Sequence, residues 1–162
     1  MRVLIGINQL SDFGGTQTYC VDLVHQLVDS GHDVDVYCLY SAPVMTRGVE
    51  AAGARLYTYP SFPRSVPDRA IVMHPLATFM TLNRIPHSVP AMAVIHGVVP
   101  YEYPVRLSRI DAFIAVSPFI RDTLIARDRV ESARITVISN GIDIDKFNAP
   151  VVHGSLDTIR IL

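Results

Sequence analysis

Two adjacent glycines, Gly14 and Gly15, stand between an apolar run, Arg2 to Asn8, and an amphipathic stretch that starts near Thr16. Glycine lets a backbone approach a ligand closely and take positive φ. A helix that starts there presents unpaired N–H groups and about half a positive charge. A phosphate suits that arrangement, with the hydroxyls of Thr16 and Thr18 as further donors. A tight strand-to-helix turn without a ligand uses the same residues, and the local pattern does not separate the two uses.

His96 closes a second apolar run, Ala91 to His96, just before Gly97. Ligands of open parallel sheets bind at the carboxyl ends of strands, and an imidazole titrates in the useful range. The plainer use is a strand-end histidine bonded to backbone. His74 ends a shorter run and ranks behind it, while His25, His32, His87 and His153 have no supporting context. Ser117 also follows an apolar run. A nucleophile elbow needs G-x-S-x-G, and the chain reads Ala115-Val116-Ser117-Pro118-Phe119. A hydroxyl followed by proline reads as a helix cap, although the hydroxyl can still face a cleft. Asp12, Asp143 and Asp145 are better explained as solvated or capping carboxylates. No H-E-x-x-H and no Cys/His cluster occurs, so a protein-bound metal is not expected.

These residues must be positioned by an alternation of strand and helix. Arg2 to Asn8 predicts a buried parallel strand. Cys20, Leu23, Val24, Leu27 and Val28 share one helical face over Thr16 to Ser30, with Gly31 as a left-handed C-terminal cap. Further strands are expected at Asp33 to Leu39, Ala54 to Tyr59, Ala70 to Met73, Ala91 to His96, Asp111 to Val116 and Arg134 to Ile138. Helical pieces are expected near Val49 to Ala52, at Leu76 to Asn83, and from Ser117 to about Arg127. Pro60, Pro63 and Pro67 make Tyr59 to Asp68 a loop, and Asn140 to Asp143 reads as a turn. The pattern is that of an α/β layer fold with a mainly parallel sheet.

Bulk properties narrow the classes. The 162 residues suffice for one core, and 49% hydrophobic against 18% charged residues excludes disorder. A net charge of −1 gives no general attraction to nucleic acid. No stretch reaches ~18 apolar residues, and the N-terminus lacks a leader's long apolar core. Cys20 and Cys38 read as small buried hydrophobes. A cytoplasmic protein is expected. The glycines do not make G-x-G-x-x-G, no acidic residue closes the second strand, and there is no G-K-[ST].

Four stretches in order carry a resemblance: Gly14-Gly15 with the helix running to Ser30-Gly31-His32-Asp33-Val34; Val89 to Gly97, ending His96-Gly97; Asp111 to Ser117, ending Val116-Ser117; and Ile135 to Asp143, with Asn140-Gly141-Ile142-Asp143 and then Phe147. They resemble the N-terminal domain of the retaining GT-B glycosyltransferases, the group-one, family-four-like set. The resemblance implies a Rossmann-like three-layer sandwich, one half of a GT-B fold. Residues 1–148 would be the acceptor-side domain, and 149–162 the linker and first strand of a missing C-terminal donor-binding domain. It implies sugar transfer, of hexosyl type, from a nucleotide-sugar donor with retention and without a cofactor or metal. The acceptor would be a carbohydrate, a lipid-linked group or a small molecule. His96 would take the catalytic position, holding sugar or acceptor by a hydrogen bond. Gly14, Gly15, Thr16, Ser117 and Asn140 would bind substrate and donor diphosphate. The family's basic pair and glutamate motif have no counterpart here, so the chain alone is expected to be inactive.

Two other classes remain open on sequence: a non-catalytic Rossmann-like binding domain, and a nucleotide-sugar epimerase or dehydrogenase. Peripheral contact with the inner membrane face is a further expectation, through Tyr101 to Arg106 and through Phe62 with Arg64. Ordinary acceptor-cleft loops are the plainer use of those segments.

Overall fold

The computed structural model describes residues 1–102 and 107–142. Tyr103 to Arg106, Asp143, Asp145, Phe147 and the whole 149–162 stretch lie outside the described residues. Apolar runs covered on both sides form the sheet: β1 (Arg2–Leu10), β2 (Asp33–Ser41), β3 (Arg55–Thr58), β4 (Arg69–Val72), β5 (Ala91–Ile95), β6 (Ala112–Ala115) and β7 (Ile135–Val137). The order is β3-β2-β1-β4-β5-β6-β7, and every pairing is parallel. The expected mainly parallel sheet is therefore parallel throughout the described residues.

Four α-helices link these strands: α1 (Gly15–Asp29), α2 (Pro43–Ala51), α3 (Pro75–Leu82) and α4 (Pro118–Asp128). Alternation along β1 sorts the two cores. Val3, Ile5 and Ile7 meet Cys20 and Val24 of α1 and Met45 and Val49 of α2. Leu4 belongs to the opposite core, with Leu82 of α3 and Ile120 and Leu124 of α4. Helices thus cover both faces, giving three layers. Each large aliphatic buried this way stabilises the fold by roughly 1.5–3 kcal/mol.

Helix ends follow local chemistry. Gly31 takes φ +80°, and the N–H groups of Gly31 and His32 donate to the Val28 and Leu27 carbonyls at 2.8 and 3.0 Å. That closes α1 as the sequence predicts. Ser117 Oγ accepts from the Ile120 N–H at 3.3 Å, with Pro118 in the first turn of α4. α2 begins at Pro43, well before the expected Val49. Proline at a first turn presets φ and leaves no donor unpaired, and Gly48 interrupts the helical pattern between the buried Met45 and Val49. β1 and β2 also run further than expected, because Gln9 pairs with Tyr40 and Leu10 with Ser41.

The order of strands changes direction between β1 and β4. β2 and β3 are added on one side of β1, and β4 to β7 on the other. Such a switch point leaves a crevice at the carboxyl ends of the two strands.

Candidate active site at the switch point

Because all strands are parallel, the segments after β1, β4, β5, β6 and β7 emerge on one edge. Gly14, Gly15 and Thr16 follow β1, His74 follows β4, His96 follows β5 and Ser117 follows β6. The glycine turn and His96 therefore share a rim. Tyr19, one turn into α1, meets His96 edge-on, with ring centroids 4.7 Å apart and planes at 72°. Sequence reasoning missed Tyr19. Its only signal was its distance of one helical turn from Gly15, which turns it toward the strand ends.

The glycine turn differs from expectation in one respect. Gly14 is the N-cap of α1 with φ −151° and ψ 164°, and neither glycine takes positive φ. Bends at Ser11 and Asp12 turn the chain instead. Asp12 accepts from Gln9 Nε2 at 3.2 Å and from Gln17 Nε2 at 3.5 Å, which braces the loop. What glycine supplies is room: a Cβ on exposed Gly15 would meet nothing within 4 Å. No side chain caps α1, so its first N–H groups face the rim with their partial positive charge. Thr16 is buried against the fold rather than offered freely to solvent.

The two histidines are held without ordinary partners. Burial pushes His96 down to about 4, with like-charge repulsion from His74 adding to it, and burial also lowers His74. Both rings are neutral at pH 7, each with one N–H and one lone pair. His96 Nε2 and His74 Nδ1 are buried and have no hydrogen-bond partner. An unpaired buried polar atom costs about 1–3 kcal/mol. His74 also takes φ 66° and ψ 148°, a left-handed setting that costs a side chain roughly 1–3 kcal/mol. The sequence ranked His74 below His96, since strain and burial are invisible before folding. Asn8 of β1 was not singled out either. Its Oδ1 accepts from the Ala77 N–H at 2.7 Å, so β1 caps α3 across the switch point.

The other two candidates stand further off. Ser117 lies one strand beyond His96 with its Oγ engaged as a cap. Asn140 is exposed beyond β7, four strands from β1, or about 19 Å at ~4.8 Å per strand. After His96 the chain folds back, with the Glu102 N–H donating to the Val99 carbonyl at 2.9 Å. Any side chain at Gly97 would strike the Glu102 carboxylate. Phe13, Tyr101 and Phe119 are exposed on the segments that follow β1, β5 and β6. Phe62, one of the residues considered for membrane contact, packs against the core. It meets Tyr37 edge-on at 4.9 Å and lies 5.3 Å beneath the Arg84 guanidinium. Its ring is committed to holding the 59–68 loop. A cavity of about 750 Å³ lined by Leu56, Thr58, Phe62 and Arg64 sits by the outermost strand, away from the histidines. Among the described residues, no group of three or more His, Cys, Asp or Glu is placed to hold a metal ion, and no helix is long and apolar enough to cross a membrane.

The sequence matches the family described as Glycosyltransferase Family 4 over residues 13–146, most of the chain. The chain belongs to that family. The family-4 match spans the glycine turn, both rim histidines, Ser117 and Asn140. The fold is similar to that of a crystal structure of a glycosyltransferase from Rickettsia africae ESF-5, with a TM-score of 0.69 and 14% identity. That likeness covers 91% of this chain and 45% of the other, so the chain spans less than half of that structure's length. No curated protein matches the sequence.

Proposed function

We propose that this chain is the acceptor-side half of a retaining glycosyltransferase, completed by a second, donor-binding half. The observation that carries the reading is the shared rim: an uncapped helix start at Gly14-Gly15 within one aromatic ring of a neutral, unpartnered imidazole at His96. The helix terminus suits the diphosphate of a nucleotide-sugar, whose charge grows as it leaves. The bond from the sugar's anomeric carbon to the diphosphate oxygen breaks. The acceptor oxygen bonds to that carbon on the same face, and its proton passes to the leaving phosphate. The transition state resembles an oxocarbenium ion, and His96 holds a hydroxyl of the sugar or acceptor by a hydrogen bond. No group in this scheme calls for a metal or a further cofactor. Thr16, Ser117 and Asn140 have supporting parts at most, with Ser117 limited by its capping bond. Exposed Phe13, Tyr101 and Phe119 give the acceptor side an apolar margin, which suits a lipid-linked acceptor and peripheral contact with the inner face of a membrane.

Half of a preorganised site gives little catalysis. Nucleoside-diphosphate release from UDP-glucose, UDP-N-acetylglucosamine and GDP-mannose is therefore expected from the complete protein and not from residues 1–162 alone. Equal turnover by the two would overturn the division of labour. No turnover by the complete protein with any nucleotide-sugar would overturn the transferase reading.

A further inference from the structure

The backbone of His74 opens α3, its carbonyl accepting from the Thr78 N–H at 3.1 Å and the Thr78 hydroxyl at 2.7 Å, but its side chain takes no part in that structure. His74 is the N-cap residue of α3, yet its side chain makes no capping bond, and Asn8 serves the Ala77 N–H instead. Its φ of 66° is a setting that glycine takes without penalty and other side chains rarely adopt. Its ring is only partly buried, and its Nδ1 has no partner. A glycine here would carry no such strain, so the strain comes from having the imidazole at this position. His74 follows β4 and His96 follows β5, and these strands are paired neighbours. His96 likewise leaves Nε2 without a partner.

We propose that His74 is a second ligand-binding residue, forming with His96 a paired-imidazole clamp that holds neighbouring hydroxyls of one sugar ring. The proposal rests on the transferase reading and extends it to a specificity-determining residue. The chemistry favours a polyol. Each uncharged ring has one donor and one acceptor, matching a hydroxyl that needs both. An anion calls for cations or several N–H donors, which α1 supplies at the other side of the rim. Strand neighbours stand ~4.8 Å apart, so the two rings can converge on adjacent hydroxyls of a pyranose.

His74→Gly in the complete protein separates binding from structure. The substitution relieves the left-handed strain, so Tm holds or rises. Transfer kcat/KM falls at least tenfold, and His74→Asn, which keeps the same strain and restores a donor and an acceptor, recovers part of it. Imidazole ¹⁵N resonances supply the independent readout, with UDP-glucose, UDP-N-acetylglucosamine and GDP-mannose as probes. Both rings are expected to respond to the same probe. Wild-type kcat/KM in His74→Gly, or a His96 response with His74 unmoved, overturns the clamp and leaves the transferase reading standing. No ring response and no turnover with any probe overturns both.

Discussion

The two ends of the sheet are built to opposite rules. At the amino end a dense set of ion pairs and hydrogen bonds ties the strand entries together, although Arg109 Nε and Asp128 Oδ2 are buried there without hydrogen-bond partners. Arg2 donates its backbone N–H to Asp68 at 2.7 Å and its Nε to Asp33 at 3.1 Å. Arg55 spans Asp33 at 2.8 Å and the buried Asp35 at 2.7 Å. The Asp33 carboxyl is held below its usual range by its hydrogen bonds to Arg2 and Arg55. Asp111 accepts from the Ala91 N–H at 2.7 Å, and Arg109 and Arg134 tie strand entries through backbone carbonyls. At the carboxyl end two imidazoles lack partners, α1 and α3 receive no cap from their own N-cap side chains, one residue sits in a strained setting, and Phe13, Tyr101 and Phe119 face outward. The ion pairs gather at the amino end, and the orphaned imidazole nitrogens at the carboxyl end. Unmet hydrogen-bonding capacity and local strain often accompany ligand handling, and the carboxyl end differs in that its orphaned atoms are titratable imidazoles beside an uncapped helix start.

Substitutions at the two ends should therefore separate stability from activity. The largest effect is expected for His96→Ala in the complete protein. Transfer falls about 10²-fold while Tm changes little, as kinetics and calorimetry on one preparation would show. Equal losses in both would make His96 a structural residue. Arg55→Ala at the amino end should behave in reverse, because it strands the buried Asp35 carboxylate. A loss of about 2–3 kcal/mol in urea unfolding is expected, with turnover per folded molecule unchanged. Asp35→Asn in the Arg55→Ala background should recover part of it.

Gly15→Ala sharpens the contrast within the rim. The added methyl meets no neighbour, and replacing glycine in a helix stabilises by about 0.4–1 kcal/mol. The same methyl stands where a diphosphate would approach, so the donor KM should rise about tenfold, or roughly 1.4 kcal/mol. An unchanged KM would remove the diphosphate from this turn. The smallest effect concerns pH. Both rim histidines have lowered values in the fold, His96 to about 4, so between about pH 6.5 and pH 4 the unfolded chain binds more protons. Their contribution is fully present above pH 6.5 and is lost as pH falls toward 4. Tm should drop by about 3–6 °C from pH 7 to pH 5, and less in His96→Ala. A flat profile over that range would show that the rings are not buried in solution.

Much of the layer plan was written in local pattern. Continuous apolar runs gave the strands, the spacing of Cys20, Val24 and their neighbours gave α1, and Gly31 and Ser117-Pro118 marked helix ends that the coordinates reproduce. Those signals are legible because each depends on residues within one or two turns. The start of α2 lies six residues before the expected one, because Gly48 interrupts the pattern between Met45 and Val49, and Gln9 and Leu10 extend β1 beyond its expected end because their pairing comes from Tyr40 and Ser41. The site was half legible. Gly14, Gly15 and His96 stood out by their place after apolar runs. The strain at His74, the Tyr19 contact and the Asn8 cap depend on segments far apart in the chain.

Short-range periodicity and capping fix which segments become strands and helices, and hence that the chemistry-bearing residues lie at strand ends. That β1 and β4 adjoin, and that His74 Nδ1 and His96 Nε2 are left without partners beside the switch point, follows from the assembled sheet. Those outcomes depend on strand order and burial, and both arise from contacts between residues that no local pattern connects.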